Sequence, residues 1–221
     1  MIFADRRDAG GKLAAALEKK YKDQPCVVLA LPRGGVPVAA EVAKALKAPL
    51  DLILVRKIGV PYQPELAMGA VVDGGAPVIV RNESIIREAE IGEEQFQKVC
   101  KQELEEIERR RKQYFGDRAP ENPAGRVAIV IDDGIATGAT MSAALKATRA
   151  RKPKTLVMAV PVAPADTVER MRAECDDVVC LDTPADFSAV GFFYRNFNQT
   201  RDEEVIAALK AAHERVTPSR A

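Results

Sequence analysis

Residues 127–140 read Val-Ala-Ile-Val-Ile-Asp-Asp-Gly-Ile-Ala-Thr-Gly-Ala-Thr, and the fold of the whole chain can be worked outward from them. The first five are apolar and mostly β-branched, too few for a helix and bounded by charge and glycine. Such a run predicts a strand buried on both faces, as in a parallel sheet. Asp132 and Asp133 then fall where the strand ends, the edge at which open α/β sheets place ligands. A loop of Gly134, Ile135, Ala136, Thr137, Gly138, Ala139 and Thr140 follows, opening into a helix-forming run at 141–146.

The residue types in this stretch narrow its chemistry. A small-residue loop at a helix N-terminus lets backbone N–H groups close on an oxyanion, and the helix dipole favours the negative charge. Thr137 and Thr140 can add hydroxyl donors. Asp132 and Asp133, when ionised, only accept hydrogen bonds and so cannot take a phosphate. They suit vicinal hydroxyls, or hydroxyls together with a hydrated Mg²⁺. Carboxylates for a diol followed by an amide cradle describe a ribose 5-phosphate site. The plain alternative, a strand end with an acidic turn and a capping threonine, accounts for each part alone but not for all of them in order.

Outward from this stretch the pattern repeats. Residues 26–31 are a buried strand running into Pro32-Arg33-Gly34-Gly35-Val36-Pro37 and then a helix carrying Val38, Val42, Ala43 and Leu46. An arginine among exposed amides suits a second polyphosphate group, which its fork can grip bidentately. Residues 50–55, 156–160 and 178–181 are further strands. Helices are expected over 9–21, with Leu13, Leu17 and Tyr21 inward, over 164–175, and after a capping box at Thr200–Glu203. Strand and helix alternate, so the chain is read as α/β with a parallel, Rossmann-like sheet covered on both faces.

Composition sets the outer bounds. The 221 residues suffice for one domain, read as residues 1–221. Hydrophobic content is 47%, charged content 29% and net charge +1, so no global basic field argues for nucleic acid. No apolar run reaches a membrane span of roughly 18–20 residues, and the first residues lack a signal peptide's core. Cys26, Cys100, Cys175 and Cys180 show no paired spacing and read as small hydrophobes in a reducing compartment. The cytoplasm is the expected location. The single histidine, His213, falls in the last helix and argues against a His-based triad.

Residues 127–140, an apolar strand, two acids and a Thr-Gly-x-Thr loop, resemble the phosphoribosyl-pyrophosphate (PRPP) motif of type I phosphoribosyltransferases. The resemblance extends in family order to most of the chain. Arg33, Gly34 and Gly35 match the pyrophosphate loop, in which a non-proline cis peptide often sits; one is looked for at Arg33. Residues 57–67, with two prolines and a glycine, match the flexible catalytic loop, with Lys57 at its base. A lid there would shield a developing glycosyl cation from water. Residues 183–200 match the hood over the base, where Phe187, Phe192, Phe193, Tyr194 and Phe197 make up five of the chain's eleven aromatic residues. They would stack on a heterocycle or form a small satellite core.

The resemblance implies transfer of ribose 5-phosphate from Mg²⁺-PRPP to a nitrogenous base with release of pyrophosphate. Asp132 and Asp133 would take the ribose hydroxyls and Mg²⁺, the latter through those hydroxyls and water. Gly134 and the 136–140 loop would take the 5-phosphate. Arg33 with the amides of Gly34 and Gly35 would hold pyrophosphate, and Lys57 or Arg56 would neutralise its growing charge. Hypoxanthine–guanine members carry an aspartate just before Thr-Gly; here it is Ala136, as in adenine members, whose equivalent acid lies in the flexible loop. Glu65 is the carboxylate in this loop and is the candidate general base or base-anchoring acid.

Residues 82–115 are read as a helical insertion. Phe96, Cys100, Leu104, Ile107, Arg111 and Tyr114 form one stripe, and Glu105–Arg109, Glu106–Arg110 and Glu108–Lys112 are spaced as ion pairs. The interleaved glutamates argue for a solvated face rather than a nucleic-acid surface, and the insertion would be a packing arm or a homodimer contact. Insertion and hood match no purine or pyrimidine enzyme closely enough to name a base and look more like bacterial phosphoribosyltransferase-like proteins. A PRPP-binding regulator without turnover, or another nucleotide-binding α/β protein, are the rival readings.

Overall fold

The computed structural model describes residues 1–73, 77–116 and 118–216. Its strands are β1 (Cys26–Ala30), β2 (Leu50–Leu52), β3 (Val55–Val60), β4 (Gln63–Val72), β5 (Val78–Arg81), β6 (Val127–Ile131), β7 (Thr155–Val162) and β8 (Asp177–Asp182). Its helices are α1 (Arg6–Tyr21), α2 (Gly35–Ala45), α3 (Glu83–Glu88), α4 (Glu93–Phe115), α5 (Ala139–Ala150), α6 (Ala165–Arg172) and α7 (Asp202–Val216).

The apolar runs form the central sheet, in the order β2-β1-β6-β7-β8 with every pairing parallel. Successive side chains along β1, β6 and β7 face alternate sides of the sheet, and both sides are buried. Val28, Ala30, Ile129, Ile131, Val157 and Ala159 share a core with α1, α2, α4 and α7. Val27, Leu29, Ala128, Val130, Leu156 and Met158 share the opposite core with α5 and α6. Both faces are dry, which is why residues 26–31, 127–131 and 156–160 include no charged side chain. The chain leaves β1 toward β2 and leaves β6 toward β7, in opposite directions across the sheet. The gap between β1 and β6 is therefore the topological switch point, where such folds leave a crevice for ligands.

Two expectations for residues 50–67 change in the structure. Residues 50–55 are not one strand, because the chain leaves the parallel sheet after Leu52 and Val55 opens a separate antiparallel sheet, β3-β4-β5. Most of residues 57–67 is then not loop but hairpin, with only Pro61 and Tyr62 between β3 and β4. The prolines suggested a loop, yet Pro64 falls where the pairing jumps from Gly59↔Ala67 to Val60↔Gln63. A bulge leaves residues unpaired and so tolerates a residue with no N–H. Gly59 is needed there, since a Cβ would stand 2.4 Å from the Pro64 carbonyl oxygen. In sequence, 68–72 and 77–80 read as short strands around an Asp73-Gly74-Gly75 turn, and the antiparallel pairing of β4 with β5 bears this out, Gly74 and Gly75 lying outside the described residues.

The insertion is helical as expected but broken into α3 and α4, with Phe96, Cys100, Ile107 and Tyr114 buried. Glu106 pairs with Arg110 as expected and takes Arg109 as well, in place of the expected Glu105–Arg109 pair. α7 begins one residue later than its capping box implied: the Glu204 carboxylate, not Glu203, reaches back to accept from the Arg201 N–H at 2.8 Å. The four cysteines are free thiols, and burial pushes each of them up from its ordinary pKa. No helix among the described residues is long and apolar enough to cross a membrane.

Candidate functional site

The parallel register of β1 and β6 sets two loops side by side. Ala30 pairs with Ile131, and the Leu31 N–H donates to the Ile131 carbonyl at 2.8 Å. Residues 32–35 and 132–134 therefore leave the sheet as neighbours. The Pro32–Arg33 peptide is cis, at the position where the resemblance placed one. The contact between the loops requires both glycines. A Cβ on Gly34 would fall 2.1 Å from Asp133 Oδ2, and one on Gly35 would fall 2.7 Å from the Ile131 carbonyl oxygen.

The two acids are held differently. Asp133 is buried, and its Oδ2 accepts from Arg6 Nε at 2.6 Å. Its main-chain carbonyl accepts from the Tyr194 hydroxyl at 2.5 Å. Asp132 is half-buried, and its Oδ1 accepts from the Asp133 N–H at 2.9 Å. Burial and the adjacent Asp133 carboxylate push the Asp132 pKa well above the usual carboxylate range. A cation or a set of hydroxyl donors would relieve that penalty.

Beyond the acids, the loop turns its carbonyls toward α6. Thr167 Oγ1 donates to the Ala136 carbonyl at 2.8 Å, and Arg170 Nη2 donates to the Thr137 carbonyl at 3.0 Å. Peptide planarity then aims the N–H groups of Thr137 and Gly138 the opposite way. Gly138, at φ +76°, caps α5, so the N–H groups of Ala139 and Thr140 have no intrahelical partner. Among the described residues the loop bonds show no backbone acceptor for the amides of 136–140. Ala136, Thr137, Ala139 and Thr140 are exposed. The arrangement is an open row of donors beside two carboxylates.

Arg33 lies at this edge, with Nη1 3.6 Å from Asp202 Oδ1. The other expected site residues sit on the antiparallel sheet or in the hood. Arg56 Nε is bound to Glu103 Oε2 of α4 at 2.6 Å, so this arginine ties hairpin to insertion. Lys57 is exposed on β3 and Glu65 exposed in the bulge, and neither has an ion pair among the described residues. In the hood, Phe187 stacks on Phe193 with centroids 5.4 Å apart and lines a cavity of about 840 Å³ with Ala136, Thr137 and Arg170. Phe192 is 74% exposed. Tyr194 is buried in a satellite core with Phe3 and offers no open ring face. Of the two expected purposes the satellite core is formed, by Tyr194 with Phe3, while Phe187 and Phe192 stay outside it.

Arg6, Thr167, Arg170 and Tyr194 were not assigned these contacts from sequence. Asp5 as N-cap with Asp8 in the first turn of α1 is a capping signal that fixes where Arg6 sits, but not what it touches. Thr167 and Arg170 share one face of α6 at i, i+3, and nothing local marks them.

The family model described as phosphoribosyl transferase domain matches residues 4–195. The chain is similar to a protein of Mycobacterium tuberculosis strain H37Rv named "Putative phosphoribosyl transferase", 48% identical over 212 residues, 96% of this chain and 47% of that protein. Its counterpart in strain CDC 1551 gives the same figures, so the chain spans about half the length of the curated relatives it matches. The crystal structure of TT1426 from Thermus thermophilus superposes with a TM-score of 0.81 at 41% identity, covering 95% of this chain and 98% of that one. On this match, and with the acids, glycine turn and amide loop at its switch point, the chain belongs to the phosphoribosyl transferase family.

Proposed function

We propose that this chain transfers ribose 5-phosphate from Mg²⁺-PRPP to a nitrogenous base and releases pyrophosphate. The observation that carries this reading is the juxtaposition of two carboxylates, a glycine turn and an unpartnered amide row at one sheet edge. Asp132 and Asp133 bind the ribose hydroxyls, the 136–140 amides and Thr137 and Thr140 bind the 5-phosphate, and Gly34, Gly35 and Arg33 bind pyrophosphate. The base enters from the Phe187 side.

The residues fit a substrate-borne metal. No group of three His, Cys, Asp or Glu side chains that could hold a metal ion occurs among the described residues, so Mg²⁺ would arrive with the pyrophosphate. Asp132, raised by burial and a like charge, is the acid most in need of a cation. When bound, Mg²⁺ spreads the negative charge that develops on the leaving pyrophosphate.

The chain's own part is positioning and charge compensation. C1 develops oxocarbenium character as the bond to pyrophosphate stretches, the base nitrogen attacks from the opposite face, and C1 inverts. Arg33 and the exposed Lys57 neutralise the leaving group, and the Lys57 hairpin excludes water once it closes over the edge. Glu65 accepts the base's proton or anchors the base.

The test is pyrophosphate release from Mg²⁺-PRPP across a panel of purine and pyrimidine bases, with Asp132→Asn/Asp133→Asn as blank. Release with one base, absent in the variant, is expected. Binding of PRPP without release for any base would point instead to a PRPP-responsive regulator.

A further inference from the structure

We infer that Arg6 is a positioning residue for the ribose acids, acting through Asp133. The inference rests on the reading of the site given above, but its geometry is independent of the acceptor. Arg6 Nε donates to Asp133 Oδ2 at 2.6 Å, and its Nη1 donates to the Asn198 carbonyl at 2.6 Å. The guanidinium lies 3.9 Å from the centroid of the Phe197 ring. The side chains of Arg6 and Asp133 are each only 12% exposed. One planar fork thus joins the acid loop to the far end of the hood.

Three further sets of hydrogen bonds make this a clamp. The Asp5 carboxylate accepts from the Arg7 and Asp8 N–H groups, both at 2.9 Å, so Arg6 leaves from a capped first turn of α1. Residues 3–4 pair with the hood: Phe3 donates to the Phe193 carbonyl, and Arg195 and Asn196 donate to the Phe3 and Ala4 carbonyls. Tyr194, emerging from that pairing, holds the Asp133 carbonyl, as Arg6 holds its carboxylate.

The Asp133 carboxylate is therefore confined from two sides. Arg6 engages Oδ2 from the N-terminal segment, and the same oxygen lies where a Gly34 side chain would be. An acid held this way fixes the spacing between the ribose and pyrophosphate loops. Asp132 is left as the less constrained of the two carboxylates that meet the sugar. Lysine cannot replace Arg6, because a single ammonium on a flexible stem lacks the planar two-point fork that joins Asp133 to Asn198.

The test is a double-mutant cycle of Arg6→Gln and Asp133→Asn, read as Mg²⁺-PRPP affinity by calorimetry, with Arg6→Lys alongside. Arg6→Gln is expected to weaken PRPP by about tenfold. Arg6→Lys is expected to recover only part of that, and the double variant to be no worse than the weaker single. Wild-type affinity in Arg6→Gln, or losses that multiply in the double variant, would overturn the inference. Should the wild-type chain not bind PRPP at all, the reading of the site falls. Hydrogen exchange at the Arg195 and Asn196 amides then decides the clamp: faster exchange in Arg6→Gln supports it, and unchanged exchange overturns it.

Discussion

Two pairs of acids lie inside this molecule, and they are treated in opposite ways. Asp51 and Asp73 are 2% and 7% exposed, yet both are provided for. Asp51 accepts from the Leu52 and Glu121 N–H groups at 2.9 and 2.6 Å, and Asp73 accepts from the Leu54 N–H at 2.9 Å and from Arg111. Asp132 and Asp133, at the switch point, share one guanidinium and one backbone N–H. Buried polar groups are normally satisfied, and those that are not are candidates for function. The first pair is scaffold. The second keeps capacity for a ligand, at some cost to the fold.

The comparison breaks if the two pairs respond alike to substitution. Asp73→Ala removes the carboxylate from Arg111 Nη1 while leaving a guanidinium that is 16% exposed. Arg151, itself half-buried, stands in the same field. Breaking one partner out of a buried pair costs about 3–5 kcal/mol. A drop of that size in the urea unfolding free energy is expected, the largest effect foreseen for any single change here. A loss below about 1 kcal/mol would mean that Asp73 is not structural.

Asp132→Asn should do the reverse. Among the described residues no cation is ion-paired with Asp132, the adjacent Arg6 being taken by Asp133, so the fold should survive unharmed. Hydrogen bonds to charged groups contribute about 1.5–3 kcal/mol, so PRPP affinity should fall by roughly 10- to 100-fold. Calorimetry and urea unfolding on one preparation check both halves. A variant that unfolds early but binds PRPP normally would exchange the roles assigned to the two pairs.

The contrast also explains what the sequence could and could not disclose. Strand, acids, small-residue loop and helix are contiguous between Val127 and Thr140, so periodicity and residue type suffice to read them. The glycine turn at 34–35 is legible for the same reason. Whether an acid is satisfied is not local. Asp133 meets Arg6 from 127 residues away, and Asp73 meets Arg111 across 38. Pro61 and Pro64 make the hairpin at 55–72 look like loop in sequence, whereas the bulge around Pro64 absorbs the one that would break the ladder. Tyr194 read as a hood aromatic by composition, and only the parallel bridge to Phe3 turns it inward.

The smallest expected effect sharpens the comparison by pH. Burial raises the pKa values of Asp51 and Asp73 as well as Asp132, and the last is raised further by Asp133. An acid with a raised folded-state pKa binds more protons in the folded than in the unfolded state, between the ordinary value near pH 4 and the raised one. Stability therefore falls as pH rises through that window. Asp132→Asn removes one such proton and should flatten the decline, with Asp51 and Asp73 supplying what remains. Unfolding free energies from about pH 4.5 to 7.5 should show the variant gaining on the wild type as pH rises, by on the order of 1 kcal/mol for each pH unit crossed inside the window. A constant offset across that range would mean that Asp132 titrates as an ordinary surface carboxylate, and the second pair would then have no unmet charge to offer a ligand.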